Sequence, residues 1–116
     1  EFRDTMAELF RVLRPGGVAS HSVDLKDCLG GALNNLRFTH DCWEKEYMAR
    51  SGFYTNRIRF TEMLNVWRNV GFEPEVLSTS RWPSLVMPRQ RMAPAFRDLP
   101  EDELLISGFE VILRAA

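Results

Sequence analysis

The segment Leu9-Phe10-Arg11-Val12-Leu13-Arg14-Pro15-Gly16-Gly17 constrains this chain more than any other. Apolar residues at Phe2, Met6, Leu9, Phe10 and Leu13 fall on one helical stripe, the i, i+4, i+7, i+8 spacing of an element with a single packed face. Pro15 lacks a backbone N–H and disfavours helical angles at Arg14, so the helix stops there. Pro followed by Gly suits the two central positions of a type II turn, with Gly16 supplying the positive φ. Residues 18–25 then read as a strand. A helix that feeds a strand after so short a turn is the αβ half of an α/β unit.

Downstream the patterns are less regular. Between Asp27 and Arg50, Leu29, Leu33 and Leu36 follow helical spacing, as do Leu36, His40, Trp43 and Tyr47, which predicts one or two helices ending near Ser51-Gly52. Gly30-Gly31 weakens the start of any such helix by about 1 kcal/mol per glycine. Residues 53–60 form a connector. Thr61 suits an N-cap, with Glu62 in the first turn, and Met63, Val66, Trp67 and Val70 share a face ending at Gly71. Pro74 separates this helix from a strand over residues 75–80. Residues 82–98 contain three prolines and read as a loop with a short helical piece around residues 90–96. Pro100 opens a helical turn rich in acids. The strand at 108–114 alternates Phe109, Val111 and Leu113 against Glu110, Ile112 and Arg114.

Composition bounds the rest. The chain has 116 residues, enough for one modest core, and 45% hydrophobic with 27% charged residues is ordinary for a globular protein. A net charge of −1 argues against binding nucleic acid by phosphate neutralisation. Cys28 and Cys42 have no metal-binding spacing, and we expect free thiols in a reducing, cytoplasmic setting. No apolar run approaches the ~20 residues that span a bilayer, and no signal peptide is visible.

The wording around Pro15 also resembles a known family. Glu8 to Gly17 fits the E-x-x-R-V-L-[KR]-P-G-G segment that precedes the fifth strand in many class I methyltransferases using S-adenosylmethionine. Asn56-Arg57-Ile58-Arg59, Val70-Gly71-Phe72-Glu73 and the run from Gly108 to Arg114 follow in matching order. The resemblance covers nearly the whole chain and corresponds to the C-terminal half of such an enzyme, of the type 11-like group. It implies an α/β fold that forms the C-terminal portion of a Rossmann-like methyltransferase sheet. Three strands are expected in the spatial order 18–25, 108–114, 75–80, the last in sequence being antiparallel in the middle. Flanking and inserted helices complete a single domain fragment over residues 1–116, with residues 27–60 as helical insert or lid and 81–98 as long loop. No G-x-G-x-G cofactor loop occurs in the chain. S-adenosylmethionine is therefore expected in the parent enzyme and not on this fragment, and no cofactor-binding or metal-binding residue is nominated. A chain that begins in mid-helix suggests truncation. With its outer edge unpaired, the strand at 18–25 is expected to mediate self-association, or a helix is exchanged between copies.

Candidate substrate-binding residues follow from position. His21, Ser22, Asp24 and Asp27 lie on or beyond the first strand, toward the carboxyl end where open α/β sheets bind ligands. Asp24 or Asp27 could serve a small-molecule methyl acceptor as hydrogen-bond acceptor or base, or could cap the element that follows. The Asn56-Arg57-Ile58-Arg59 segment resembles one found before the penultimate helix of several methyltransferases. Arg57 could hold an anionic acceptor through a forked pair of hydrogen bonds, or Arg57 or Arg59 could pair with a carboxylate such as Asp24 or Asp27. Trp43, Tyr47, Phe53 and Tyr54 could line a pocket or form core. Arg81, Arg89, Arg91 and Arg97 concentrate charge for a phosphate or for solvent. His40-Asp41-Cys42 cannot pair locally, since adjacent helical residues do not face each other. Two other readings stand beside the methyltransferase: a non-catalytic binding or assembly module, and, more weakly, a hydrolase using His21 and Asp24.

Overall fold

The computed structural model describes residues 2–27, 31–52 and 54–115. Its elements are α1 (Phe2–Val12), β1 (Val18–Asp24), α2 (His40–Trp43), α3 (Glu46–Ala49), α4 (Phe60–Val70), β2 (Phe72–Arg81), α5 (Pro94–Arg97), α6 (Glu101–Leu105) and β3 (Ile106–Ala115), with 3-10 turns at Asn34–Arg37 and Arg89–Arg91. The chain packs into two compact units. The first comprises Glu1–Asp24, Ile58–Ser80 and Gly108–Ala116; the second comprises Leu25–Arg57 and Arg81–Ser107. Among the described residues, no helix is long and apolar enough to cross a membrane.

In the first unit the Pro-Gly turn joins α1 to β1. Gly16 has φ +78, and the Gly17 N–H closes the turn on the Arg14 carbonyl at 2.7 Å, as a type II turn with Gly at its third position requires. The strands form a three-stranded sheet in the order β1-β3-β2. β3 runs antiparallel to β1 in a register from Val18 opposite Arg114 to Asp24 opposite Gly108, and the sheet as a whole is antiparallel and open. β1 and β2, both antiparallel to the strand between them, therefore point the same way.

One face of this sheet is covered. Phe109, Val111, Leu113 and Ala115 of β3 are buried while Glu110 and Arg114 are exposed, the alternation of a strand with one packed side. Trp67 of α4 packs edge-on to Phe109 with ring centroids 6.1 Å apart, and Phe60 does the same at 4.8 Å. α1 joins this layer through Phe2 against Trp67 and Phe10 against Phe72. Each fully buried large side chain contributes about 1.5–3 kcal/mol, so Trp67, Phe72 and Phe109 dominate this core.

Two expectations need correction here. Thr61 is not the N-cap of α4: Arg59 takes that place with extended ψ 174, its carbonyl accepts the Met63 N–H at 2.9 Å, and its side chain makes no cap bond. The helix begins one residue before Thr61 because Phe60 packs on Phe109, and that apolar contact outweighs a hydroxyl cap. Pro74 does not separate helix from strand but lies within β2, which starts at Phe72. β2 is an edge strand, the place in a sheet where a residue lacking an N–H is tolerated. Gly71 ends α4 as expected, left-handed at φ +118.

The second unit draws residues from both the 27–60 segment and the 81–98 segment, and they share one core. Leu33, Leu36, Met87, Met92, Ala93, Phe96 and Leu104 are buried together, and the Ala93 N–H reaches the Leu36 carbonyl at 2.8 Å. The one or two helices expected between Asp27 and Arg50 are the short α2 and α3, the second ending at Ala49. Leu33 and Leu36 are buried as their spacing suggested, but a 3-10 turn and the four-residue helices α2 and α3 carry the segment. Leu29, Gly30 and Cys28 lie outside the described residues, as does Phe53.

Candidate functional site

The six nominated residues fall in both units, and each group is positioned differently. In the first unit His21, Ser22 and Asp24 all belong to β1, whose side chains alternate between faces. His21 lies on the half-buried side, stacked on Trp67 with centroids 6.2 Å apart and ring planes 28° apart. Its Nε2 and the Trp67 Nε1 are buried without a hydrogen-bond partner among the described residues. Ser22 and Asp24 are exposed on the opposite face. His21 and Asp24 therefore cannot form a catalytic pair, which removes the geometric basis of the hydrolase reading.

In the second unit Asp27 and Arg57 meet around one residue that the sequence did not flag, Asn35. The Asp27 carboxylate is 5% exposed and accepts the Ala32 N–H through Oδ1 and the Asn35 N–H through Oδ2, both at 2.9 Å. Arg57 donates from Nη1 to the Asn35 carbonyl at 2.9 Å and to the Phe38 carbonyl at 2.7 Å. The Asn35 backbone is thus held at its N–H by an accepting carboxylate and at its C=O by a donating guanidinium. Asp27 serves as a cap for the 3-10 turn that follows, as a short acid does where helical amides lack partners.

Arg57 has the most unusual environment among the described residues. It is 5% exposed and is the one non-glycine residue among them with positive φ, at +56, a left-handed conformation costing about 1–2 kcal/mol. Its guanidinium lies over Trp43 at 4.9 Å and over Phe96 at 4.8 Å. A cation–π contact contributes about 2 kcal/mol or more where water is excluded. Burial lowers the Arg57 pKa, and Glu44, Tyr54 and Cys42 act against that shift. Nη2 lies 3.2 Å from the His40 Nδ1. A guanidinium only donates, so that nitrogen accepts and the His40 proton sits on Nε2.

The surrounding aromatics are structural. Trp43 is fully buried, donates from Nε1 to the Thr55 carbonyl at 2.8 Å and stacks on Tyr54 at 5.8 Å. Tyr54 in turn donates to the Glu44 carboxylate at 3.0 Å. Tyr47 is 65% exposed and takes no part in this cluster. Asn56, next to Arg57, is exposed.

Arg57 was expected to reach either an anionic acceptor or a carboxylate. Its observed hydrogen bonds go instead to two carbonyls and an imidazole, because loop carbonyls left over from irregular backbone need buried donors. Two arginines of the 81–98 segment behave similarly, while Arg81 takes a carboxylate. Arg89 donates to the carbonyls of Arg97 and Leu99, Arg97 donates to that of Met92, and Arg81 pairs with Asp102 at 2.6 Å. The sequence carried no local signal for Asn35, His40 or Phe96 as partners of Arg57, since these contacts join residues from 17 to 39 positions apart.

A shallow, open depression of about 510 Å³ runs along α1 in the first unit, lined by Asp4, Thr5, Glu8, Leu9 and Val12. None of the nominated residues lines it. Among the described residues, no group of three or more His, Cys, Asp or Glu side chains could hold a metal ion. Cys42 is a free thiol. Comparison with known protein families, with curated proteins and with solved structures found no match.

Proposed function

We propose that this chain is part of an S-adenosylmethionine-dependent methyltransferase and contributes acceptor-side and lid elements. The observation that carries this reading is the sheet order β1-β3-β2 with the last strand inserted antiparallel in the middle. The order matches what the E-x-x-R-V-L-[KR]-P-G-G resemblance implies.

Within that reading the chain does not itself cradle the cofactor. It contains no G-x-G-x-G loop, and the buried charges of its second unit are committed to their own backbone. S-adenosylmethionine, when bound to the parent, supplies a sulfonium methyl group for displacement by a nucleophile. The share of this chain is to orient a small-molecule acceptor and exclude water, the proximity component of catalysis. In this reading Ser22 and Asp24, both exposed on β1, contact the acceptor.

The test is methyl transfer from radiolabelled S-adenosylmethionine by the polypeptide of the complete reading frame, against a panel of small hydroxyl, amine and carbon acids. Transfer that falls at least tenfold in Asp24→Asn supports the reading. A complete polypeptide that neither binds S-adenosylmethionine nor transfers its methyl group overturns it. Tight calorimetric binding of S-adenosylmethionine to the 116-residue chain would overturn the division of labour. A second reading, a binding or assembly module without catalysis, draws on Asp27 and Arg57 both being occupied structurally.

A further inference from the structure

His40 is exposed at the start of α2, yet its ring is held from behind. Nδ1 lies 3.2 Å from the Arg57 Nη2, and the ring packs on Phe96 with centroids 5.8 Å apart. The holding group is itself pinned. Arg57 is buried, its Nη1 donates to the Asn35 and Phe38 carbonyls, and its guanidinium lies over Trp43 and Phe96. The Arg57 backbone adopts a left-handed φ of +56 in this arrangement. A buried cation on a strained residue therefore fixes the orientation of an exposed imidazole.

The polarity is the reverse of that in a histidine base. A base directs its Nδ1–H to a carboxylate or carbonyl, which leaves Nε2 free to take a proton. Here Nδ1 faces a group that only donates, so Nδ1 accepts and Nε2 carries the hydrogen. Among the described residues that Nε2 is neither buried nor hydrogen-bonded. It is a donor aimed away from the core.

The charge behind this donor favours an anion. The hydrogen bonds of Arg57 go to two carbonyls and the imidazole, with no carboxylate among these partners. Glu44 acts on Arg57 through space, while its own oxygens accept from the Tyr54 hydroxyl. A cation donating to one imidazole nitrogen polarises the N–H on the other. Asp41 follows His40 in α2, and adjacent helical side chains do not face each other.

We propose that the His40 Nε2–H is a binding site for an oxyanion, the carboxylate or phosphate of a small ligand, with Arg57 as its positioning residue. The assignment uses only contacts inside the second unit and does not rest on the methyltransferase reading.

Nitrogen NMR of the histidine rings tests it. The chain has two histidines, His21 and His40, and His40→Gln assigns their signals. At about pH 8, where an ordinary imidazole is neutral, the His40 Nδ1 should be unprotonated and its Nε2 protonated. Inorganic phosphate and, in a separate arm, acetate are then added at constant pH and ionic strength. At least one should move the His40 Nε2 resonance along a saturable curve, and the tighter arm identifies the source of the oxyanion. The His21 ring, whose Nε2 is buried, should not respond. In Arg57→Lys the half-saturating concentration should rise by about tenfold or more, the order of one hydrogen bond to a charged group. If that variant does not fold, the wild-type titration decides. A protonated His40 Nδ1, a response without saturation in both arms, or equal responses from His21 and His40 overturns the proposal. So does a folded Arg57→Lys chain that binds with unchanged affinity.

Discussion

The Arg57 Nη2 lies 3.2 Å from the His40 Nδ1, and that contact fixes both the tautomer of the imidazole and the last direction of a buried guanidinium. Arg57 meanwhile reaches two carbonyls and is held between Trp43 and Phe96. The second unit is organised around this cation.

Arg57→Lys retains the charge but cannot reach both carbonyls while stacking between two rings. A hydrogen bond to a charged group contributes about 1.5–3 kcal/mol, so the substitution should destabilise the chain by about 3 kcal/mol. His40→Lys should also be costly, by setting a second cation against the first, while His40→Gln retains an acceptor and should cost under about 1 kcal/mol. Urea denaturation followed by tryptophan fluorescence, to which the buried Trp43 contributes, measures all three. Equal losses in His40→Lys and His40→Gln would contradict the assigned contact.

Asp27→Ala leaves the buried amides of Ala32 and Asn35 without their acceptor. Losing a cap costs about 0.5–2 kcal/mol, and a second amide left unpaired brings the expected loss to about 3 kcal/mol. Asp27→Asn keeps one carbonyl oxygen and should recover roughly half of that loss. Hydrogen exchange at the Asn35 amide should accelerate in both variants. A stability unchanged in Asp27→Ala would show that the cap is dispensable.

Gly71→Ala joins two costs at one position. Gly71 has φ +118, where a side chain is strained, and a Cβ there would come within 2.6 Å of the Phe10 ring. The left-handed angle alone costs about 1–2 kcal/mol, and displacing a ring packed edge-on to Phe72 at 5.2 Å adds to it. Phe10→Leu should reduce the further cost of Gly71→Ala. A double-mutant cycle with no coupling between the two positions would place the whole effect in the backbone.

Acid acts at the end of α1. Glu8 accepts from Arg11 at 2.9 Å and 3.0 Å, and this bond holds the Glu8 carboxyl below its ordinary value of 4.5. The unfolded chain then binds a proton more readily than the folded one, so the contribution is present above the unfolded value and is lost as pH falls through the lowered folded value. Both groups are exposed, so solvent screens the effect. An NMR titration of the Glu8 side chain should show a midpoint that rises in Arg11→Gln. A midpoint unmoved by that substitution would remove the pair as its cause.

Legibility tracked the range of the interactions involved. The α1 stripe, the Pro15-Gly16 turn and the Gly71 cap were readable because each rests on residues within a turn or two of one another. The start of α4 is not legible at Thr61 because Phe60 packs on Phe109, some 50 positions away. The place of Pro74 inside β2 is not legible because only the sheet order tells whether a strand lies at an edge. The helical spacing between Asp27 and Arg50 marked Leu33 and Leu36 as buried but not the backbone that buries them. Of the candidate site, the sequence reached Asp27 and Arg57 as noteworthy but not Asn35, the residue they hold in common.

The sequence by itself determined where the chain must turn and which side chains must leave water. Those outcomes depend on backbone sterics and on apolar periodicity, both local. Tertiary structure alone decided what each charge does. A buried arginine must be surrounded by acceptors and rings, and here these come from Asn35, Phe38, His40, Trp43 and Phe96, segments that meet only when the second unit folds. The low exposure that makes such a cation costly also fixes its partners, and no spacing along the chain encodes that.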